Sequence, residues 1–187
     1  ALISIDYVFE DRSLEFNNMT VNTGGISMSI VVDTDTTNLG SGFNHFDNFY
    51  EADVYFTSAG LGLNNEKVVS DTYLYFGGTV LGFTDTVGDF STIFTAYNGA
   101  SNLTFGTEFD LSTLVVPQGP LVTTGNELRT VNDIVFENGD RITGGNTMAL
   151  GGTVSISGIN NVSEPATMAI LLSGLAGLMV RRRSAQR

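Results

Sequence analysis

The stretch Ile3-Ser4-Ile5-Asp6-Tyr7-Val8-Phe9-Glu10 decides the fold class. Ile3, Ile5, Tyr7 and Phe9 fall at every second position, with Ser4, Asp6 and Glu10 on the other side. Side chains of a strand point alternately to its two faces, so a period of two marks a half-buried strand and not a helix. The pattern recurs at Ile26, Met28, Ile30 and Val32, opposed by Ser27, Ser29 and Asp33. Residues 14–21, 52–57, 67–76, 91–97, 103–109, 111–116, 134–136 and 153–157 read as further strands, and no long helical period separates them.

Turn chemistry agrees with this reading. Glu137-Asn138-Gly139-Asp140, between Val135 and Ile142, predicts a two-residue hairpin, because Asn and Gly tolerate the positive φ such a turn needs. Gly77-Gly78, between Tyr75 and Val80, predicts a second, while Asn98-Gly99, Gly24-Gly25, Gly144-Gly145 and Gly151-Gly152 are weaker turn or bulge marks. A chain of 187 residues has room for one ordinary core. The expectation is an all-β domain over residues 1–157, a two-sheet antiparallel β-sandwich with a jelly-roll-like path, and a closed barrel is the alternative. No internal repeat is found, which argues against a solenoid or propeller.

Charge is divided unevenly. Residues 1–160 hold Arg12, Lys67, Arg129 and Arg141 against 19 acids, a net of −15, whereas Arg181, Arg182, Arg183 and Arg187 crowd the last seven positions. An acidic body repels nucleic acid, so nucleic-acid binding is not expected. With no cysteine, disulfides, thiol catalysis and thiolate metal sites are excluded. The sequence enters a strand pattern directly at Ala1, which reads as a processed or truncated start whose secretory signal is missing.

Residues 158–163 (GINNVS) read as a polar linker, and 164–187 as a separate tail. Ala166 to Val180 is 15 residues without a charge. As a helix it would be about 22 Å long, short of the roughly 30 Å of a hydrocarbon core. Local thinning and snorkelling arginines can cover that mismatch. The basic end 181–187, led by Arg181-Arg182-Arg183, is the flank that fixes a cytoplasmic side and leaves the body outside the inner membrane. Pro165 breaks any helix upstream and biases Glu164 toward an extended conformation. The alternative is a C-terminal helix buried in a soluble core.

Ser163-Glu164-Pro165, a short Gly/Ala/Leu-rich helix and a terminal arginine cluster, in that order, resemble the PEP-CTERM sorting signal. The resemblance covers about residues 162–187, with Ser163 where the family usually has a first proline. It implies recognition of Glu164 and Pro165 by an integral-membrane exosortase that cleaves the tail, with Arg181, Arg182 and Arg183 as the orientation signal. It also implies export from a Gram-negative-type bacterium, a precursor tethered to the inner membrane, and a final place at the cell surface or in an exopolysaccharide matrix such as a biofilm or floc.

The body offers few candidates for chemistry. Asp33-Thr34-Asp35 resembles the start of a calcium loop, but Asn38 stands where glycine is usual and Asn44 where a closing Glu belongs. Asp33 and Asp35 are thus calcium candidates, against the reading of a polar loop. Gly42 to Tyr50 (GFNHFDNFY) spaces Phe43, Phe46 and Phe49 or Tyr50 by about one helical turn. It reads either as a helical plug or as a glycan site in which rings stack on sugar faces while Asn44, Asp47 and Asn48 bond hydroxyls. His45 is the only histidine, and no nucleophile elbow, phosphate loop or zinc motif occurs. The expectation is therefore a non-enzymatic structural or adhesive matrix protein without a cofactor, which contacts exopolysaccharide or copies of itself. A carbohydrate-binding module, with or without calcium, is the second reading, and a polysaccharide hydrolase the third.

Overall fold

The computed structural model describes residues 1–39, 48–77, 80–85, 93–97, 110–129, 133–144 and 147–159. Thirteen strands occupy them: β1 (Leu2–Phe9), β2 (Ser13–Phe16), β3 (Met19–Asn22), β4 (Ile26–Asp33), β5 (Asn48–Ser58), β6 (Leu63–Lys67), β7 (Tyr73–Gly77), β8 (Val80–Thr84), β9 (Ile93–Tyr97), β10 (Gln118–Arg129), β11 (Ile134–Val135), β12 (Arg141–Ile142) and β13 (Thr147–Gly158). They form two antiparallel sheets, as the alternating patterns require. The tail, and with it the expected membrane helix, lies outside the described residues, and no described helix is long and apolar enough to cross a membrane.

In the nine-stranded sheet the order is β4-β1-β13-β10-β9-β8-β7-β5-β6, and β4 also pairs with β5. Ser27 to Val32 lie opposite Thr57 to Ala52, while β7 takes the other edge of β5 at Asn48 to Glu51. Eight strands thus bond in a ring, so the barrel alternative describes the ladder. A sandwich would leave edges at β4 and β5; here those edges satisfy each other, which removes the unpaired N–H and C=O groups of an open sheet. The ring is narrow, however. Tyr7 on β1 crosses the interior to donate a 3.1 Å hydrogen bond to the carbonyl of Leu81 on β8, four strands away in either direction. One tyrosine can span the interior only if facing walls lie at about the 10 Å spacing of packed sheets. The architecture is a flattened barrel with a sandwich-like core.

The two stretches with the clearest alternation line that core. Ile3, Ile5, Tyr7 and Phe9 pair in register with Val32, Ile30, Met28 and Ile26, and all eight are buried. Ile5 and Tyr7 meet Ile156 and Val154 of β13 on the other side. The smaller sheet, β11-β12-β2-β3, adds Leu14, Phe16, Ile134 and Ile142 to the same core. Phe56 joins the two sheets, with its ring edge-on to Phe83 (centroids 6.2 Å apart) and to Phe136 (5.4 Å). The bridge between Val68 and Phe136 ties their backbones.

Several local expectations are corrected. Residues 14–21 are two strands, because Asn17 and Asn18 both take positive φ (51° and 63°) and turn the chain between Phe16 and Met19. The 137–140 hairpin is present, but only Gly139 has positive φ, at 89°. Gly139 N donates to Phe136 O and Phe136 N to Asp140 O, so the turn has a glycine bulge and is not a two-residue loop. Residues 67–76 divide between β6 and β7. Residues 111–116 do not form a strand, since the Asp110 carboxylate accepts from Ser112 N and caps a 3-10 turn at Leu111–Thr113. The segment 103–109 lies outside the described residues.

Candidate functional site

β13 ends at Gly158, opposite Ile3, and the next backbone N–H, that of Ile159, donates to Leu2 O at 3.0 Å. The chain therefore leaves the barrel beside the start of β1. Leu2 also lines an open groove of about 560 Å³ on the outside of the barrel. Its walls include Val31 and Asp33 of β4, Glu51, Ala52 and Asp53 of β5, Lys67 of β6, and the connection Val68 to Thr72. The outward residues of β4 and β5 alternate with core residues, so Glu51 and Asp53 are placed here by the same period of two that buries Tyr50 and Val54. Thr72 secures the connection, its hydroxyl donating to Ala52 O while Ala52 N donates to Thr72 O.

The groove is strongly anionic. Asp33, Glu51, Asp53, Asp71 and Glu137 bring five carboxylates against one side-chain cation, Lys67. Lys67 Nζ sits 2.7 Å from Asp53 Oδ1, and that hydrogen bond raises the lysine's pKa above its ordinary value. Asp33 accepts from the Ala1 ammonium at 2.8 Å, which holds its carboxyl below the usual range. Glu51, Asp71 and Glu137 make no ion pair among the described residues. Sequence reasoning did not single out this groove; the acids of β5 at alternate positions were the available signal.

The calcium candidates Asp33 and Asp35 lie together at the end of β4 and in the turn that follows it. The Ala1 ammonium donates to Asp33 Oδ1, Thr34 Oγ1 (3.0 Å) and Asp35 Oδ2 (3.1 Å), and Asp35 N also donates to Asp33 Oδ1. Among the described residues no group of three or more His, Asp or Glu side chains is placed to hold a metal ion.

The aromatic candidates divide. Phe49 and Tyr50 are the second and third residues of β5, with 0% and 5% of their surface exposed, and burial pushes the Tyr50 hydroxyl's pKa up. Stacking on a sugar needs an open ring face, which neither has, so both leave the list of glycan contacts. Helical spacing misled here because a strand buried on both faces also places consecutive aromatics inside. Phe43 and Phe46, with Asn44, His45 and Asp47, lie outside the described residues, as do Ser163, Glu164, Pro165, Arg181, Arg182 and Arg183.

Comparison of the chain with curated proteins and with solved structures finds no match. A family model does match the tail. Residues 161–183 carry the PEP-CTERM protein-sorting motif, which marks this chain as an exported protein with a membrane-associated precursor, sorted through its C-terminal signal by exosortase.

Proposed function

We propose that the protein is a non-enzymatic surface or extracellular-matrix component, delivered by its C-terminal signal to an exopolysaccharide biofilm or floc, where the β-domain serves as a structural or adhesive unit. The observation that carries the reading is the sorting motif at 161–183, joined to a body whose strands bond in a ring. Closing β4 on β5 leaves fewer open strand edges than a flat sheet would, which suits a protein that must persist outside the cell and not join strands with its neighbours at random. In this reading Glu164 and Pro165 are read by exosortase, and the arginines hold the cytoplasmic side until cleavage. The inner membrane is then a transient partner, and exopolysaccharide or further copies of the chain are the lasting ones.

The test is deletion of residues 164–187 from the exported protein, followed by fractionation of cells, matrix and medium. The truncated chain is expected to lose its membrane-bound precursor and to appear in the periplasm or medium, not at the surface. Surface display unchanged by the deletion overturns the proposal.

A further inference from the structure

Where the chain leaves the barrel limits how its sorting enzyme can approach it. Glu164 is five residues beyond Ile159, and Ile159 is bonded to Leu2 at the groove. A fully extended chain covers at most about 3.6 Å per residue, so Glu164 cannot lie more than about 18 Å from Ile159, whatever its conformation. That is shorter than strand β1, whose eight residues span roughly 27 Å at the usual rise. An enzyme that reads Glu164-Pro165 at the membrane therefore meets this end of the barrel and not the other.

We infer that the acidic groove beside the exit of β13 is the surface on which the extracytoplasmic face of exosortase docks while it processes the tail, and that the partner face is basic. The inference rests on the sorting reading above. Charge decides between the two surfaces within reach. Among the described residues Glu51, Asp71 and Glu137 make no ion pair, and an anionic headgroup layer repels them, whereas a basic protein surface is steered toward them. Lys67 does not offset this, since its ammonium is already held by Asp53. The short tether then makes docking productive: with the groove engaged, the motif is confined to a small volume near the enzyme, which raises its effective concentration.

The experiment uses the full precursor, co-expressed with exosortase, and reads the cleaved fraction over time as a size shift. Four forms are compared: the natural chain, the triple variant Glu51→Gln/Asp71→Asn/Glu137→Gln, and each of these with a ten-residue Gly/Ser insertion after Asn160. Neutralising the groove is expected to slow cleavage about tenfold, the low end of what electrostatic steering supplies. With the insertion the two charge forms are expected to converge, because a long tether no longer couples docking to cleavage. Unfolding midpoints of the full-length variants separate docking from misfolding, and only a variant that keeps its midpoint is compared. Equal cleavage of natural and neutralised chains at the natural tether length overturns the inference but leaves the sorting reading intact. Faster cleavage of the neutralised chain also overturns it, since the carboxylates would then be repelled by lipid and not attracted by enzyme. Cleavage that survives replacement of Glu164 and Pro165 by Ala strikes the sorting reading itself.

Discussion

Strand β1 and the segment 166–180 are both rich in apolar residues, but only β1 spaces them. In β1 Ile3, Ile5, Tyr7 and Phe9 are buried against β4, β13 and the far wall, while on the other face Asp6 is half-buried and Val8 exposed. The tail segment places apolar residues at consecutive positions with no polar face, so as a helix it has no side to show to water. The first pattern closes a core within the chain. The second requires an apolar surrounding from elsewhere, which is what a sorting signal read in a membrane provides. The two also divide the charge, since the body holds 19 acids and the tail's last seven residues hold four arginines.

The sharpest way to break this comparison is a pair of substitutions that exchange their effects. Phe56 is fully buried between Phe83 and Phe136, where it links ring and smaller sheet. Phe56→Ala is expected to lower the stability of the body by about 3–5 kcal/mol, measured by urea unfolding, and to leave the membrane-bound fraction unchanged while the body stays folded. Leu171→Arg places a charge in the middle of the apolar run, at a cost of about 2.5–3.5 kcal/mol for insertion. It is expected to deplete the membrane-bound precursor and not to move the unfolding midpoint. If Leu171→Arg lowers the midpoint as a core substitution does, the tail packs inside the globule and the contrast between the two regions is lost.

How much of this was legible depends on which interactions are local. The alternation of Ile3 to Phe9 and Ile26 to Val32 could be read because a period of two reports one buried face, and both stretches lie on the core as expected. Closure could not be read, because nothing in β4 or β5 alone says that their edges will meet; only the register of Ser27 to Val32 against Thr57 to Ala52 does. β10 was overlooked because Gly119-Pro120 signals a break. The strand tolerates them because its register against β13 shifts between Gln118 and Leu121, where an unpaired stretch needs no proline N–H. Asn17-Asn18 hid a hairpin inside an apparent strand, since an Asn pair declares positive φ less openly than Asn-Gly does. For the site, the tail motif was legible as an ordered string of residue types, and the family match covers it. The groove was not, because it gathers side chains from β4, β5, β6 and two connections.

A smaller effect sharpens the comparison at the level of single glycines. Gly152 of β13 lies against the backbone of β1, and a Cβ placed there would overlap Val8 O. Because the obstacle is backbone, relief requires the two strands to separate, and Gly152→Ala is expected to cost about 1–3 kcal/mol. Gly139, at φ 89° with nothing near its missing Cβ, pays only for conformation, and Gly139→Ala is expected to cost about 1 kcal/mol. Unfolding midpoints should therefore rank Gly152→Ala below Gly139→Ala, with faster amide exchange in β1 only for the former. In the tail, which lies outside the described residues, Gly177→Ala is expected to leave both midpoint and exchange unchanged. The reverse ranking would mean that turn geometry, and not strand approach, limits this barrel.

The smallest effect concerns how the groove keeps its cation. Lys67 holds Asp53 at 2.7 Å with its side chain 34% exposed and the aspartate's 50% exposed, so water screens the pair and its worth is about 0.2–1 kcal/mol. Lys67→Met removes the charge and keeps most of the aliphatic stem over the groove. Because the folded-state pKa of Lys67 is raised above 10.5, the pair's contribution is fully present below that value and disappears as pH rises through the folded pKa. Near neutral pH the variant is therefore expected to unfold slightly earlier than the natural chain, and the gap is expected to narrow as pH climbs beyond 10.5. Added salt should narrow it as well, since exposed pairs are screened. A gap that persists at high pH would assign the loss to the methylene stem and not to the ion pair, and the lysine would then count as packing in the groove wall.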